Sequence, residues 1–280
     1  MHPTGTLILV ATPIGNLGDI STRAAATLAQ ADIIYCEDTR RSRPLLTHLG
    51  ISGQRLVALH QHNEAERVAK VLEQLAVGLN VVLISDAGMP VVSDPGQRLV
   101  AAAAAAGHLV TAVPGANAVL TALAISGLPA ERFRFEGFLP ARGRSRSQRL
   151  KSIAAETETV IVYESPQRVA KLVADLSTLT NPNRILAIAR ELTKLHEEVW
   201  RGRLSEAVAY FEQAPPRGEY TVVIAGAETT VPPVSDNEII TALKQELADG
   251  VSRRSAIDQV SQRFEVARKR VYALSLTQPR

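Results

Sequence analysis

The sequence predicts an α/β protein: two α/β domains with a ligand cleft between them, then a small helical domain resembling a helix-turn-helix unit. Three observations predict it. Short apolar runs alternate with helix-forming stretches from Leu7 to Ala225. Most of these runs end in loops rich in Asp, Gly, Pro and Thr. After Pro232-Pro233 the pattern changes to amphipathic helices that carry basic residues. Strands alternating with helices imply a parallel sheet with right-handed crossovers.

The reading centres on Val81–Ile84. Four consecutive apolar residues without polar alternation are how a strand buried on both faces reads. The loop that follows, Ser85-Asp86-Ala87-Gly88-Met89-Pro90, runs into Ser93-Asp94-Pro95-Gly96 and a helix over Arg98–Ala106. Ligands of open α/β sheets bind outside the carboxyl ends of strands, where such loops sit. Gly88 permits positive φ and Pro90 stiffens the turn. Asp86 and Asp94 either meet a ligand there or cap the turns and the next helix.

The other elements follow in order. Leu7–Ala11 is a strand running into Thr12–Asn16. Asp19 or Ser21 caps a helix over Thr22–Ala31. Strands at Ile33–Cys36 and Leu56–Leu59 precede a helix over Glu64–Leu75. After the central strand comes Leu109–Val113, then a helix over Asn117–Ile125 that ends at Gly127. Phe133–Phe138, Thr159–Tyr163, Ile185–Ala189 and Tyr220–Ala225 read as a second set of strands, with helices near Gln167–Ser177 and Ser205–Phe211. The expected domains are 1–116, 117–228 and 234–280. Helices over Asn237–Leu247, Ser252–Arg263 and Val266–Leu276 make up the last.

Composition bounds the function. With 280 residues, 46% hydrophobic and 21% charged, the chain is globular and long enough for more than one domain. A net charge of +3 permits an anionic partner without requiring one. A single cysteine, Cys36, excludes an internal disulfide framework and suits a reducing cytoplasm. No apolar run is long enough to span a membrane, and the N-terminal run lacks the features of a secretory signal. There is no Walker loop, no G-x-G-x-x-G and no G-x-S-x-G. His60 and His62 point oppositely on a strand and do not suit a shared metal.

Positive signals sit in strand-end loops: Thr12–Asn16, Glu37–Arg40, Asp86–Pro90, Pro114–Ala118, Tyr163–Pro166 and Arg190–Lys194. Parallel strands would gather them on one edge of each sheet, and two facing edges make a cleft for a small ligand. Glu164, Arg190, Glu191 and Lys194 place charge there. Two basic stretches stand apart. One carries Arg142, Arg144, Arg146, Arg149 and Lys151, and the other includes Arg268, Lys269 and Arg270. Each suits phosphate contacts or a solvated face.

The motifs TPIGNLGDIS, EDTRR, SDAGMPVVSDPG, VPGANAV, RFRFEGFLP, YESPQR, ARELTKLHEEV and GEYTVVIAG, in this order, resemble the family of small-subunit ribosomal RNA methyltransferase I. That family lies in the tetrapyrrole methylase-like class of S-adenosylmethionine methyltransferases. The resemblance runs from about Thr6 to Gly226, and the tail resembles the family's helical C-terminal domain. It implies methylation of a cytidine ribose 2′-oxygen in 16S rRNA, at the decoding centre of the 30S subunit. It also implies a homodimer, with S-adenosylmethionine between the two α/β domains. The cofactor residues implied are Ile14, Asp86, Ala87, Gly88, Met89, Asn117, Ala118, Tyr163, Leu192 and Thr221. Met89 stands where the family carries Thr, and Ala116-Asn117 where it carries Pro with Cys or Ser.

Methyl transfer to an alcohol needs alignment and removal of a proton. Glu191 is the expected base, Lys194 the expected orienter of hydroxyl or phosphate, and Glu164 the alternative base. No metal is expected. Arg40, Arg142, Arg144, Arg146, Arg190, Arg268, Lys269 and Arg270 are the expected RNA contacts. The competing readings are a tetrapyrrole C-methyltransferase and a non-catalytic RNA-binding module.

Overall fold

The computed structural model describes residues 5–213, 215–228 and 234–276. The chain forms two compact units, Met1–Ala227 and Glu228–Arg280. The first unit contains two five-stranded sheets.

The first sheet is parallel. Its strands are β1 (Thr6–Val10), β2 (Ile33–Cys36), β3 (Arg55–Ala58), β4 (Val81–Leu83) and β5 (Leu109–Val113), in the order β3-β2-β4-β1-β5. Alternate residues of each central strand enter opposite cores. Leu7, Leu9, Tyr35, Val81 and Leu83 pack on one face, and Val10, Ile34, Cys36, Val82 and Ile84 on the other. That two-sided burial is why these runs carry no polar alternation. Helices α1 (Thr22–Ala29), α2 (Thr39–His48), α3 (Glu64–Ala76) and α4 (Gln97–Ala105) connect the strands. Ser21 caps α1 by accepting from the Ala24 N–H, and Asp38 caps α2 by accepting from the Arg40 N–H.

Helix α5 (Ala118–Ser126) leads to the second sheet and ends at Gly127, whose φ of 78° suits a left-handed cap. The second sheet holds β6 (Phe133–Phe138), β7 (Thr159–Glu164), β8 (Ile185–Arg190), β9 (Glu198–Arg203) and β10 (Tyr220–Ile224), in the order β6-β7-β10-β8-β9. It is mixed rather than parallel. β6 runs with β7, while β10 lies antiparallel between β7 and β8, and β9 is antiparallel to β8. β6, β7 and β8 nevertheless share one direction, so their carboxyl ends and the start of β10 meet on one edge. Helices α6 (Gly143–Ala155), α7 (Pro166–Ser177) and α8 (Leu204–Gln213) flank this sheet.

Three elements go beyond the sequence expectations. α2 is mostly polar and carries an internal proline, Pro44. α6 lies within the basic stretch that reads as a charge run. β9 is a half-buried edge strand interrupted by Gly202. The second unit is α9 (Asp236–Ala248), α10 (Arg253–Arg263) and α11 (Arg268–Ser275), packed through Ile239, Leu243, Ile257, Val260 and Val271. Ser252 caps α10 as expected, but Glu265 occupies a left-handed turn with φ 51°, so the last helix starts later, at Arg268. Among the described residues no helix is long and apolar enough to cross a membrane.

The end of α6 depends on one buried cation. Arg184, 6% exposed, donates to the carbonyls of Ile153, Ala154, Glu156 and Ala225 at 2.6–3.1 Å. Removing it strands buried carbonyls, each costing about 1–3 kcal/mol. Arg184→Leu should therefore lower stability by at least about 3 kcal/mol, read as a lower urea midpoint at unchanged slope.

Candidate active site

The carboxyl edge of the first sheet faces the corresponding edge of the second across a cavity of about 440 Å³. Its first wall is the loop after β4. The Thr12 and Gly88 backbones pair as an antiparallel bridge, with N···O distances of 2.9 and 3.1 Å. Gly88 has φ 83°, and a Cβ there would lie 3.2 Å from the Ile14 side chain. A side chain would therefore be strained both by the backbone and by Ile14. Asp86 accepts from the Asp38 N–H at 3.1 Å and lies 3.5 Å from the Arg41 guanidinium. It thus ties the loop after β2 to the loop after β4. Met89 packs toward the core of the first sheet. Asn117 spends its side-chain oxygen capping α5, accepting from Leu120 N–H at 3.0 Å. Asn serves as well as Ser at a helix cap.

The second wall comes from β6, β7 and β10. Tyr163 packs edge-on to Phe135 and obliquely to Phe138, with ring centroids 4.9 and 5.5 Å away. Phe138 is 56% exposed and also lines the cavity. Burial, followed by the Asp94 charge, pushes the Tyr163 hydroxyl up to about 12. Thr221 is buried beside them.

Of the expected cofactor residues, Ile14, Asp86, Ala87, Gly88, Met89, Asn117, Ala118, Tyr163 and Thr221 all line this cavity. Leu192 does not. It is buried in the core beneath α5, with Ile14 and Val119.

The expected catalytic residues are placed differently. Glu191 and Lys194 do not line the cavity and are occupied with each other. Lys194 Nζ lies 2.9 Å from Glu191 Oε1 and 3.0 Å from Glu219 Oε2, and Glu191 also accepts from the Glu219 N–H. Burial alone would raise the Glu191 carboxyl, but Lys194 and the Glu219 N–H outweigh it and hold the group below the usual carboxylate range. A carboxylate so stabilised is a poor base. Burial acts to lower the Lys194 ammonium, and its two carboxylate partners outweigh that and raise it. The loop instead joins the two halves: Asn16 donates its N–H to Thr193 Oγ1, and Gly15 sits against Leu192 and Thr193 without room for a Cβ. Glu164 lines the cavity but is 1% exposed, with Arg168 at 2.6 Å and Arg146 at 3.8 Å. Its surroundings make it the centre of a structural ion network rather than a free base.

The basic residues divide in the same way. Arg146 is 4% exposed and bound to Glu164 and Asp175, so it cannot present its charge to an RNA surface. Arg190 is drawn into pairing with Glu198 and the Arg217 carbonyl. Arg142 and Arg144 are exposed at the start of α6. Arg40 is exposed and forks onto Asp38; with Arg41 and His60 it lines a second recess that shares Glu37, Arg41 and Asp86 with the cavity. In the helical unit, Arg268 and Arg270 pair with Asp258 and Asp236 at its surface, and Lys269 is exposed.

Sequence reasoning placed Glu37, Arg41 and Phe138 in its motifs without giving them a role, and left Asp94 undecided between ligand and cap. All four line the cavity. Burial and the Asp86 charge push Glu37 above the usual carboxylate range. The EDTRR motif pointed to Glu37 and Arg41, but nothing local marked which of its charges face inward.

The fold and the cleft define a class. Residues 6–208 match the tetrapyrrole (corrin/porphyrin) methylases. The chain is 45% identical over 273 residues to Ribosomal RNA small subunit methyltransferase I of Synechocystis sp., covering 97% of this chain and 98% of that one. It is 45% identical over 224 residues to the protein of the same name in Thermotoga maritima, covering 80% of this chain and 100% of the relative. A uroporphyrin-III C-methyl transferase from Thermus thermophilus, solved in complex with S-adenyl homocysteine, shares the fold. Its TM-score is 0.55 at 19% identity, covering 79% of this chain and 97% of that one. The chain belongs to the tetrapyrrole methylase family and, within it, to the ribosomal RNA small subunit methyltransferase I group.

The Glu191–Lys194 pair yields a pH-dependent expectation. A carboxyl lowered on folding stabilises the fold above its unfolded pKa, and that contribution is lost as pH falls through the folded value. Glu191→Gln should cost about 1 kcal/mol at pH 7. The gap to wild type should persist above about pH 5 and close below about pH 4, measured by denaturation at several pH values.

Proposed function

We propose that this chain transfers the methyl group of S-adenosylmethionine to the 2′-hydroxyl of a cytidine in 16S rRNA, at the decoding centre. On this reading it works in the cytoplasm, on the 30S subunit, as a homodimer. The observation that carries the reading is the near full-length similarity to the Synechocystis relative, whose name is that of a small-subunit rRNA methyltransferase.

The cavity suits the cofactor. Its volume falls in the range of about 300–1,000 Å³ usual for small-ligand sites. Gly88 leaves main chain open where a Cβ would crowd Ile14, so Ala87–Met89 would hold the cofactor through backbone groups. Asp86 supplies carboxylate oxygens to hydroxyl or ammonium donors, and Ile14 and Ala118 supply apolar wall. When bound, S-adenosylmethionine supplies an electrophilic methyl on a positively charged sulfur.

The protein's own part is positioning, exclusion of water and management of one proton. Phe138 offers an exposed ring at the cavity on which an unstacked base can rest, the usual means of reading single-stranded RNA. Arg40, Arg41, Arg142 and Arg144 supply phosphate contacts that position without reading sequence.

A tetrapyrrole substrate is disfavoured because the solved tetrapyrrole enzyme shares only the fold, at 19% identity. A non-catalytic RNA-binding module would have no use for a cavity of this size and lining.

The test is methylation of 30S subunits from a strain lacking this activity, with nucleoside mass spectrometry of the rRNA. The expected product is 2′-O-methylcytidine, with one methyl per subunit. Methyl groups on a base, or none on rRNA with turnover of a uroporphyrin, would overturn the reading.

The helical unit gives a second expectation. The Thermotoga maritima relative is matched over its whole length by 224 residues, close to the extent of the first unit here. A chain ending at Glu228 should bind S-adenosylmethionine normally but bind 30S subunits more weakly. Its salt dependence should be shallower, because Arg268, Lys269 and Arg270 no longer displace counterions. Calorimetry with the cofactor beside subunit binding at two salt concentrations checks both halves of this expectation.

A further inference from the structure

We propose that Asp94 is the catalytic base that takes the proton from the substrate hydroxyl. This rests on the reading of the cavity as a methyl-transfer site for a ribose hydroxyl. Asp94 lines the cavity between the Asp86–Met89 loop and the aromatic wall of Tyr163 and Phe138. None of the ion pairs formed among the described residues involves it, in contrast to Glu164 and Glu191.

The backbone that carries Asp94 is strained. Val91 has φ 77° and Ser93 φ 66°. Positive φ is a genuine outlier for a β-branched residue such as Val91, and strain of this kind persists only where the surroundings enforce it. Here they do. Glu64, 7% exposed at the start of α3, accepts from the Gly96 and Arg98 N–H groups at 3.1 and 2.9 Å and anchors the end of the loop. Val91 packs into the core of the first sheet. On the other side Gly137, at the irregularity in β6, lets Ser93 approach to where a Cβ would lie 3.1 Å from its hydroxyl. Glu64 is thus a positioning residue for Asp94.

The charges around Asp94 suit the task. Glu37 from the loop after β2 and Asp86 from the loop after β4 face it, with Arg41 beyond them on α2. Tyr163 of β7 faces it from the second sheet, and Glu164 and Glu219 lie further along that wall. Burial first, then the Glu37 charge, push the Asp94 carboxyl up to about 6, with Ser85 acting the other way. A base with that affinity is ionised at neutral pH and still holds a proton well. In the transfer, the substrate oxygen forms a bond to the methyl carbon as that carbon's bond to sulfur breaks. The bonding pair stays on sulfur, which becomes neutral. The hydroxyl proton passes to Asp94 and then to water.

The test uses the full chain and 30S subunits. In Asp94→Asn the single-turnover rate at pH 7.5 should fall at least about hundredfold, in line with general-base contributions, while calorimetric affinity for S-adenosylmethionine stays within threefold. The wild-type rate should show an acid limb at or below about pH 6, since the bound sulfonium favours the ionised form, and the variant should lack it. Thermal melting is a readout independent of turnover. A carboxyl raised on folding weakens the fold as pH rises through its range. Asp94→Asn should therefore melt higher than wild type at pH 8, with the gap closing below about pH 4. A variant rate within threefold of wild type, an acid limb that survives the substitution, or a variant less stable than wild type at pH 8 would each overturn the assignment. If the Asn variant does not fold, an absent acid limb in wild type overturns it equally, and a limb retained with reduced rate in Asp94→Glu supports it. Wild type that leaves 30S rRNA unmethylated would instead overturn the functional reading itself, and the assignment with it.

Discussion

Two backbone hydrogen bonds between Thr12 and Gly88 hold the first half of the site together. They join the loops after β1 and β4, which come from neighbouring strands but lie 76 residues apart. Thr12 Oγ1 adds a bond to the Ser85 carbonyl, and Ser85 Oγ one to the Gly88 carbonyl. The two loops therefore behave as one rigid piece. Ile14, two residues beyond the bridge, packs into the core beneath α5 with Val119, Leu123 and Ile161. The same short segment that shapes the cavity floor thus fastens it to the second sheet. Gly88 follows from this: its backbone must both pair with Thr12 and lie against Ile14.

The second wall is held by charge. Glu164, Arg146, Arg168 and Asp175 link β7, α6 and α7 through ion pairs that are partly or wholly buried. Such networks contribute little net stability but cost much when one partner is lost, because the remaining charge stays buried. Their effect here is geometric. They fix the end of β7, and with it Tyr163, at the rim of the cavity. Glu191, Lys194 and Glu219 do the same for the end of β8. Charges that look catalytic in sequence are largely the fastenings of this wall.

This explains which parts of the molecule were legible in the sequence. β1, β2 and β4 announce themselves because burial on both faces demands continuous apolar runs. Helices such as α3 and α7 show through their periodicity. β9 was hidden because an edge strand half open to solvent tolerates Arg201, Arg203 and Gly202. α2 was hidden because it buries only Ser42, Leu45 and Leu46. The direction of β10 is a tertiary property, and no local pattern separates it from a parallel strand. Side-chain pairing was least legible. Arg146 meets Asp175 across 29 residues and Lys194 meets Glu219 across 25, so sequence placed these groups at the right edge without showing that they neutralise one another.

Backbone strain separates the two kinds of strand-end loop. Among the described residues, non-glycine positive φ occurs at Val91, Ser93, Glu191, Thr193 and, in the helical unit, Glu265. Four of these five sit in the two loops where the sheets face each other. Their consequences differ. In the Glu191–Thr193 loop the strained residues are consumed by contacts: Glu191 with Lys194 and Glu219, and Thr193 with the Asn16 N–H. That strain is offset locally by the bonds that join the halves. In the Val91–Ser93 loop the enforcing contacts come from Glu64 and the core, and the residue that emerges, Asp94, is left facing the cavity. Proteins break local rules chiefly at functional sites. Here only the second loop turns that strain toward the cavity, which is why the proposed chemistry lies on the β4 side of the cleft, opposite the fastening on the β8 side.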